Sequence, residues 1–223
     1  YGADAARFFM LSDSPPERDL EWTEAGIDGA WRFINRLWRM VTEPAVAFPA
    51  PGTPLPATLS DAAVAVRKQI HKTLAGIGED LEKFRFNKAV ARVRELANAV
   101  AELNGTGAGE DWVLREGCEA LIRMTAPMMP HLAEELWQAL GHTTLLAEQP
   151  WPEADPALAT DDSVTMPVQV NGKLRATLSL PRDVAKDVAE AAALADANVQ
   201  RALDGKPVRK IVVVPNRVIN VVA

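Results

Sequence analysis

The stretch Val164-Thr165-Met166-Pro167-Val168-Gln169-Val170-Asn171-Gly172-Lys173-Leu174-Arg175-Ala176-Thr177-Leu178-Ser179-Leu180 decides the architecture. Apolar and polar residues alternate on both sides of Asn171-Gly172. Alternation is the period of a half-buried strand, and Asn-Gly is the strongest two-residue hairpin signal because both residues tolerate positive φ. The spacing predicts two antiparallel strands, with Pro167 near an edge or a bulge because proline has no N–H for a ladder. Downstream, Asp183 is placed to cap a helix through Ala193, and a second short helix covers about Asp196–Leu203 before Gly205. Val208–Val214 and Arg217–Val222 are β-branched runs that read as strands. The order ββααββ predicts a small α+β domain over residues 163–223.

Upstream the period changes to that of helices. Ala3–Ser12 is apolar, with Asp4 and Arg7 three apart on one face. Thr23 is placed to cap a helix to about Thr42, with Ile27, Trp31, Ile34, Leu37, Trp38 and Val41 as one buried stripe and Arg32, Arg36 and Arg39 on another face. Five prolines between Pro44 and Pro56 mark a loop. Ser60 caps a helix to about Ile77, Phe84–Leu103 forms another with Phe86 in its buried stripe, and Asp111–Thr125 and Pro130–Leu140 complete the set. Long amphipathic helices with short connections predict an antiparallel bundle over residues 1–148. Residues 149–162, rich in proline, read as a linker. The fold class is therefore mainly α, a helix bundle followed by a small α+β domain.

Charge separates the two parts. Residues 163–223 carry nine basic against five acidic side chains, a net +4, whereas residues 1–162 carry 15 basic against 25 acidic, a net −10. A basic tail on an acidic body is the footprint of a polyanion-binding domain, though it also fits an ordinary solvated surface. No apolar run approaches the roughly 20 residues that span a bilayer, so no membrane partner is expected. The single cysteine, Cys118, excludes an internal disulfide framework and fits a reducing compartment.

Catalytic chemistry is hard to find. Gly105-Thr106-Gly107-Ala108-Gly109 lacks the strand and the Lys-Ser/Thr of a phosphate loop. His71, His131 and His142 have no metal-ligand spacing, and Cys118 sits mid-helix among apolar residues. The cations of the tail are more informative. Lys173 and Arg175, two apart, are expected on one sheet face beside Asn171, and Lys206, Arg209 and Lys210 gather at the start of the third strand. Phosphate contacts require such groups. No Phe, Tyr or Trp follows Trp151, so stacking on single-stranded bases is disfavoured and folded RNA fits better.

Several stretches carry a resemblance to a known family. Tyr1-Gly2-Ala3-Asp4-Ala5-Ala6-Arg7 resembles the helix after the KMSKS loop of class I aminoacyl-tRNA synthetases. Ala126-Pro127-Met128-Met129-Pro130-His131-Leu132-Ala133-Glu134-Glu135-Leu136-Trp137 resembles the late-helix motif of the Leu/Ile/Val/Met anticodon-binding domain. Pro15–Trp22, Arg32–Trp38, Val168–Arg175 and Gly205–Pro215 are similar to the C-terminal third of bacterial leucyl-tRNA synthetases. The resemblance covers essentially the whole chain.

What the resemblance implies is a docking role. The HIGH and KMSKS signatures and the catalytic and editing domains are absent, so the chain is expected to be a part that begins just after KMSKS, catalytically inactive and without a cofactor or metal of its own. ATP with Mg2+ would serve the whole cytoplasmic enzyme, which joins leucine to its tRNA and edits mischarged products. The implied partner is tRNA(Leu), met at its inner face by the bundle and at its elbow by the tail. The resemblance carries the elbow contact to Asn171, Lys173 and Arg175, then to Lys206, Arg209 and Lys210, and the bundle contact to Arg32, Arg36 and Arg39. Asp4 and Arg7 are expected at the junction with the missing catalytic domain, His131, Glu134 and Trp137 in structural roles, the tail in more than one orientation, and the chain as a monomer. A freestanding RNA-binding module and an acidic protein-interaction scaffold are the alternatives.

Overall fold

Side-chain hydroxyls start the two longest helices. In the computed structural model, which describes residues 1–160 and 163–223, α1 (Ala3–Ser12) is followed by α2 (Glu24–Thr42) and α3 (Asp61–Glu82). Thr23 Oγ1 accepts from the Gly26 N–H at 3.2 Å to open α2, and Ser60 Oγ accepts from the Ala63 N–H at 3.1 Å to open α3. Each cap satisfies a helix N–H that would otherwise lack a partner, worth about 1 kcal/mol. The helices α4 (Phe86–Glu102), α5 (Glu110–Thr125), α6 (Pro130–Ala139) and the short α7 (Pro156–Ala159) complete the first of two units, Tyr1–Ala159. α5 is buried around most of its circumference and forms the centre of this unit. A Cβ on Gly117 would lie 2.7 Å from Val100 Cγ2, so this glycine lets α5 approach α4 closely.

Three expectations for the helices need correction. Trp31 and Trp38 are 42% and 41% exposed, and Ala30 and Phe33 lie in the buried stripe with Ile27, Ile34, Leu37 and Val41. At about 100° per residue, two indoles seven apart flank this stripe together. α3 runs on past Ile77 to Glu82, through Gly76 and Gly78. A Cβ on Gly76 would lie 2.7 Å from the Arg92 guanidinium, so Gly76 gives that side chain clearance over α3. The break comes at Phe84, at φ 55°, and Phe86 is only half-buried.

The segment read as a linker is, over Gln149–Ala159, held against the helices. Arg123 Nη2 donates to the Pro150 carbonyl at 2.6 Å, and the Asp155 N–H donates to His71 Nδ1 at 3.1 Å. Residues 161 and 162 of the same reading lie outside the described residues.

The second unit, Thr160–Ala223, contains β1 (Ser163–Val170), β2 (Lys173–Pro181), α8 (Lys186–Ala195), α9 (Ala197–Leu203), β3 (Lys210–Val214) and β4 (Val218–Val222). This is the ββααββ order that the sequence predicts. The sheet order is β2-β1-β4-β3, with β1 parallel to β4 and the other pairs antiparallel. Asn171 and Gly172 take φ 50° and 79° and make the tight turn. Pro167 lies on an interior strand, but the β4 ladder begins one residue later, at Val168↔Ile219. Asp183 does not cap α8. It turns at φ 56° and exchanges hydrogen bonds with Asn216, at 2.8 Å to its N–H and 2.7 Å to its carboxylate. Met166, Val168, Val170, Ala189, Ala193, Val199, Leu203, Ile219 and Val221 form a core separate from that of the helices.

Candidate nucleic-acid interface

Strand register gathers cations that lie far apart in the sequence. β1 ends and β2 begins at the hairpin, where Val170 pairs with Lys173. β4 ends beside it, with Val221 opposite Val170, and β3 begins beside β4, with Lys210 opposite Val222. Asn171, Lys173, Arg209 and Lys210 therefore meet at one end of the four-stranded sheet. The Arg209 N–H donates to the Val222 carbonyl at 2.8 Å, which holds the approach to β3 at this end. Lys206 lies in the loop between α9 and β3, its N–H on the Leu203 carbonyl at 2.9 Å. All of these side chains are exposed.

Asn171 has a structural task here. Its Oδ1 accepts from the Ala223 N–H at 3.1 Å, and its own N–H donates to the Val221 carbonyl at 2.9 Å. The hairpin tip is thereby tied to the end of β4, which fixes Lys173 relative to Lys210.

A bulge interrupts the plain alternation that places Lys173 and Arg175 on one face. The register steps from Val168↔Ala176 to Gln169↔Leu174, so Arg175 is the extra residue of a bulge on β2. Lys173 and Ala176 stand opposite Val170 and Val168, which share one face, whereas period two alone would separate them. The freed Arg175 lines a cleft with Leu174, Asn198, Arg201 and Ala202. Nothing in the local sequence marks Arg201 and Asn198 as part of a site. They sit on a seven-residue helix whose position over the bulge is set only by tertiary packing.

On the helical unit, Arg32 and Arg39 are exposed, and Arg36 is half-buried. Arg36 donates to the Ala97 carbonyl at 3.1 Å and to Asn98, so part of its work is to join α2 to α4. The three arginines line an open cleft with Trp31 and Asn35. Among the described residues none of the three is in an ion pair.

The other residues considered as chemistry turn out to be architecture. Asp4 accepts from the Leu132 N–H at 2.8 Å, contacts His131 Nδ1 at 3.0 Å and pairs with Arg7 at 2.9 Å, so it caps the start of α6 from another helix. Glu134 accepts from the Leu146 and Ala147 N–H groups at 2.9 and 2.8 Å. Trp137 stacks on His142 at 3.5 Å. Burial, and then the neighbouring Glu119 carboxylate, push the Cys118 thiol up to about 12, far from a reactive thiolate. No group of three or more metal-ligating side chains occurs among the described residues.

Comparison with known proteins shows what the chain is similar to. The model for the anticodon-binding domain of tRNA ligase matches residues 65–190, from within α3 to within α8. A leucine–tRNA ligase of Paramagnetospirillum magneticum is 63% identical over 222 residues, spanning 100% of this chain and 25% of that protein. One from Rhodospirillum centenum is 58% identical over 233 residues, spanning 100% of this chain and 27% of that protein. The crystal structure of a ternary complex of an Agrobacterium radiobacter K84 LeuRS with tRNA and LeuAMS matches with a TM-score of 0.83 at 28% identity, over 100% of this chain and 29% of that one. The chain spans about a quarter of the length of the curated relatives it matches. With a family model matched across more than half of its 223 residues, the chain belongs to the anticodon-binding domain family of tRNA ligases.

Proposed function

We propose that this chain is the tRNA-docking portion of a leucine–tRNA ligase, holding tRNA(Leu) while a catalytic domain elsewhere in the enzyme joins leucine to its 3′ end. The observation that carries the proposal is the identity of 63% to a leucine–tRNA ligase across the whole chain. The unpaired cations at one end of the sheet supply the chemistry. Asn171, Lys173, Arg175, Lys206, Arg209 and Lys210 meet the backbone at the elbow, and Arg32, Arg36 and Arg39 meet the inner face of the tRNA. Guanidinium and ammonium groups on phosphates position a nucleic acid without reading its bases, which suits a folded RNA. The catalytic domain packs near Asp4 and Arg7. ATP with Mg2+ is used by the whole enzyme in the cytoplasm, as is the editing of mischarged products, and the chain itself holds neither cofactor nor catalytic residue. It acts as a monomer.

The test is binding of the chain to a tRNA(Leu) transcript across a salt series, with a transcript whose elbow loops are disrupted as control. Salt-dependent binding that is lost with the elbow supports the proposal. Equal binding to both transcripts would move the contact away from the elbow. In the whole enzyme, Lys173→Glu is expected to lower charging while leucine activation stays intact.

A further inference from the structure

The cleft between the β2 bulge and α9 brings two arginines together from separate elements, with Asn198 between them in sequence and Arg201 one turn further along the helix. Arg175 is there because the bulge removes it from the ladder, and bulges re-aim side chains in this way. Arg201 is held by its own helix. Its Nη2 donates to Asn198 Oδ1, and its Nε donates to the Ala197 carbonyl at 3.4 Å. Asp196 fixes that helix by accepting from the Asn198 and Val199 N–H groups at 2.8 and 3.1 Å. Both arginines are exposed, and among the described residues neither is in an ion pair. Two guanidiniums that share a cleft without a carboxylate repel each other, and an anion between them removes that repulsion. The unit has no aromatic side chain to stack a base, so the fitting anion is a phosphodiester.

We propose that this cleft is a phosphodiester-binding site in which Arg175 and Arg201 hold one and the same backbone phosphate of a folded RNA, with Asn198 orienting Arg201. The site rests on the docking function proposed above and adds a residue, Arg201, that the sequence did not point to. A site at one phosphate predicts coupling. Loss of either arginine removes the contact, and loss of the second removes little more.

The experiment measures binding of the tRNA(Leu) transcript to the chain across a salt series for the wild type, Arg175→Gln, Arg201→Gln and the double variant. Each single variant is expected to bind about tenfold more weakly and to lower the salt slope by about 1, and the double variant to match the singles. Arg201→Lys keeps the charge without the fork, so it should retain the slope and lose part of the affinity. Urea unfolding of each variant checks the fold, and Arg175→Gln, which is not on α9, guards against a frayed helix. If the wild type binds and both single variants bind as tightly, the cleft is overturned while the docking function stands. Two independent losses that add in the double variant overturn the shared phosphate. If the wild type does not bind the transcript, both proposals fall. Inorganic phosphate is titrated in parallel, with the arginine Nε–Hε resonances as readout. Saturation of Arg175 and Arg201 by phosphate, with no competition from the transcript, would make this a small-anion site and overturn the RNA assignment.

Discussion

The two units use their charges in opposite ways. In the helical unit, several of the least exposed charged side chains are spent on one another. Asp80 is only 1% exposed and takes both Arg85 and Arg92 at 2.7 Å. Arg67 meets Glu116 at 3.1 Å, and Arg115 meets Glu119 at 2.8 Å while also donating to the Pro49 and Leu140 carbonyls. In the second unit, Lys173, Arg175, Arg201, Lys206, Arg209 and Lys210 have no carboxylate partner among the described residues. A charge paired in the interior holds a fold together. A charge left in water costs little and remains available for a partner.

That contrast can be broken most sharply in the helical unit. Asp80→Ala removes the buried carboxylate shared by Arg85 and Arg92 and should cost about 3 kcal/mol, near the low end for a broken buried pair because both arginines reach solvent and Arg85 keeps Glu79. Urea unfolding reads this, and the salt slope of tRNA binding should not change. Gly117→Ala places a methyl group 2.7 Å from Val100 and should cost about 1–3 kcal/mol by the same assay. Asp196→Ala removes the cap of α9 and should cost the second unit about 1 kcal/mol. Hydrogen exchange at the α9 amides would detect it, and tRNA binding should weaken with it because α9 carries Arg201. Lys173→Gln should leave stability unchanged within about 0.5 kcal/mol while it weakens tRNA binding and lowers the salt slope by about 1.

Much of this was legible in the sequence, for local reasons. The Thr23 and Ser60 caps, the Asn171-Gly172 turn and the ββααββ order each depend on a few adjacent residues. What was hidden depends on packing between distant segments. The continuation of α3 beyond Ile77 is one case, since Gly76 fits only because it leaves room for Arg92. Asp183 looks like a cap until Asn216 is seen to hold it in a turn. The candidate site divides in the same way. Lys173, Arg209 and Lys210 stand out as basic residues near strand ends, and the register then joins them. Arg201 does not stand out, because a one-residue bulge on β2 is what turns Arg175 toward it.

The central claim is that the unpaired cations of the second unit, more than those of the helices, hold the tRNA. The most direct test compares salt slopes for the tRNA(Leu) transcript between two variants of the chain. In one, Lys173, Lys206, Arg209 and Lys210 become Gln, and in the other Arg32 and Arg39 do. The account predicts a fall of about 3.6 in the slope for the first, close to one counterion for each of four lost phosphate contacts, and for the second a smaller fall per cation removed. An unchanged slope in the first variant, with folding intact, would contradict it.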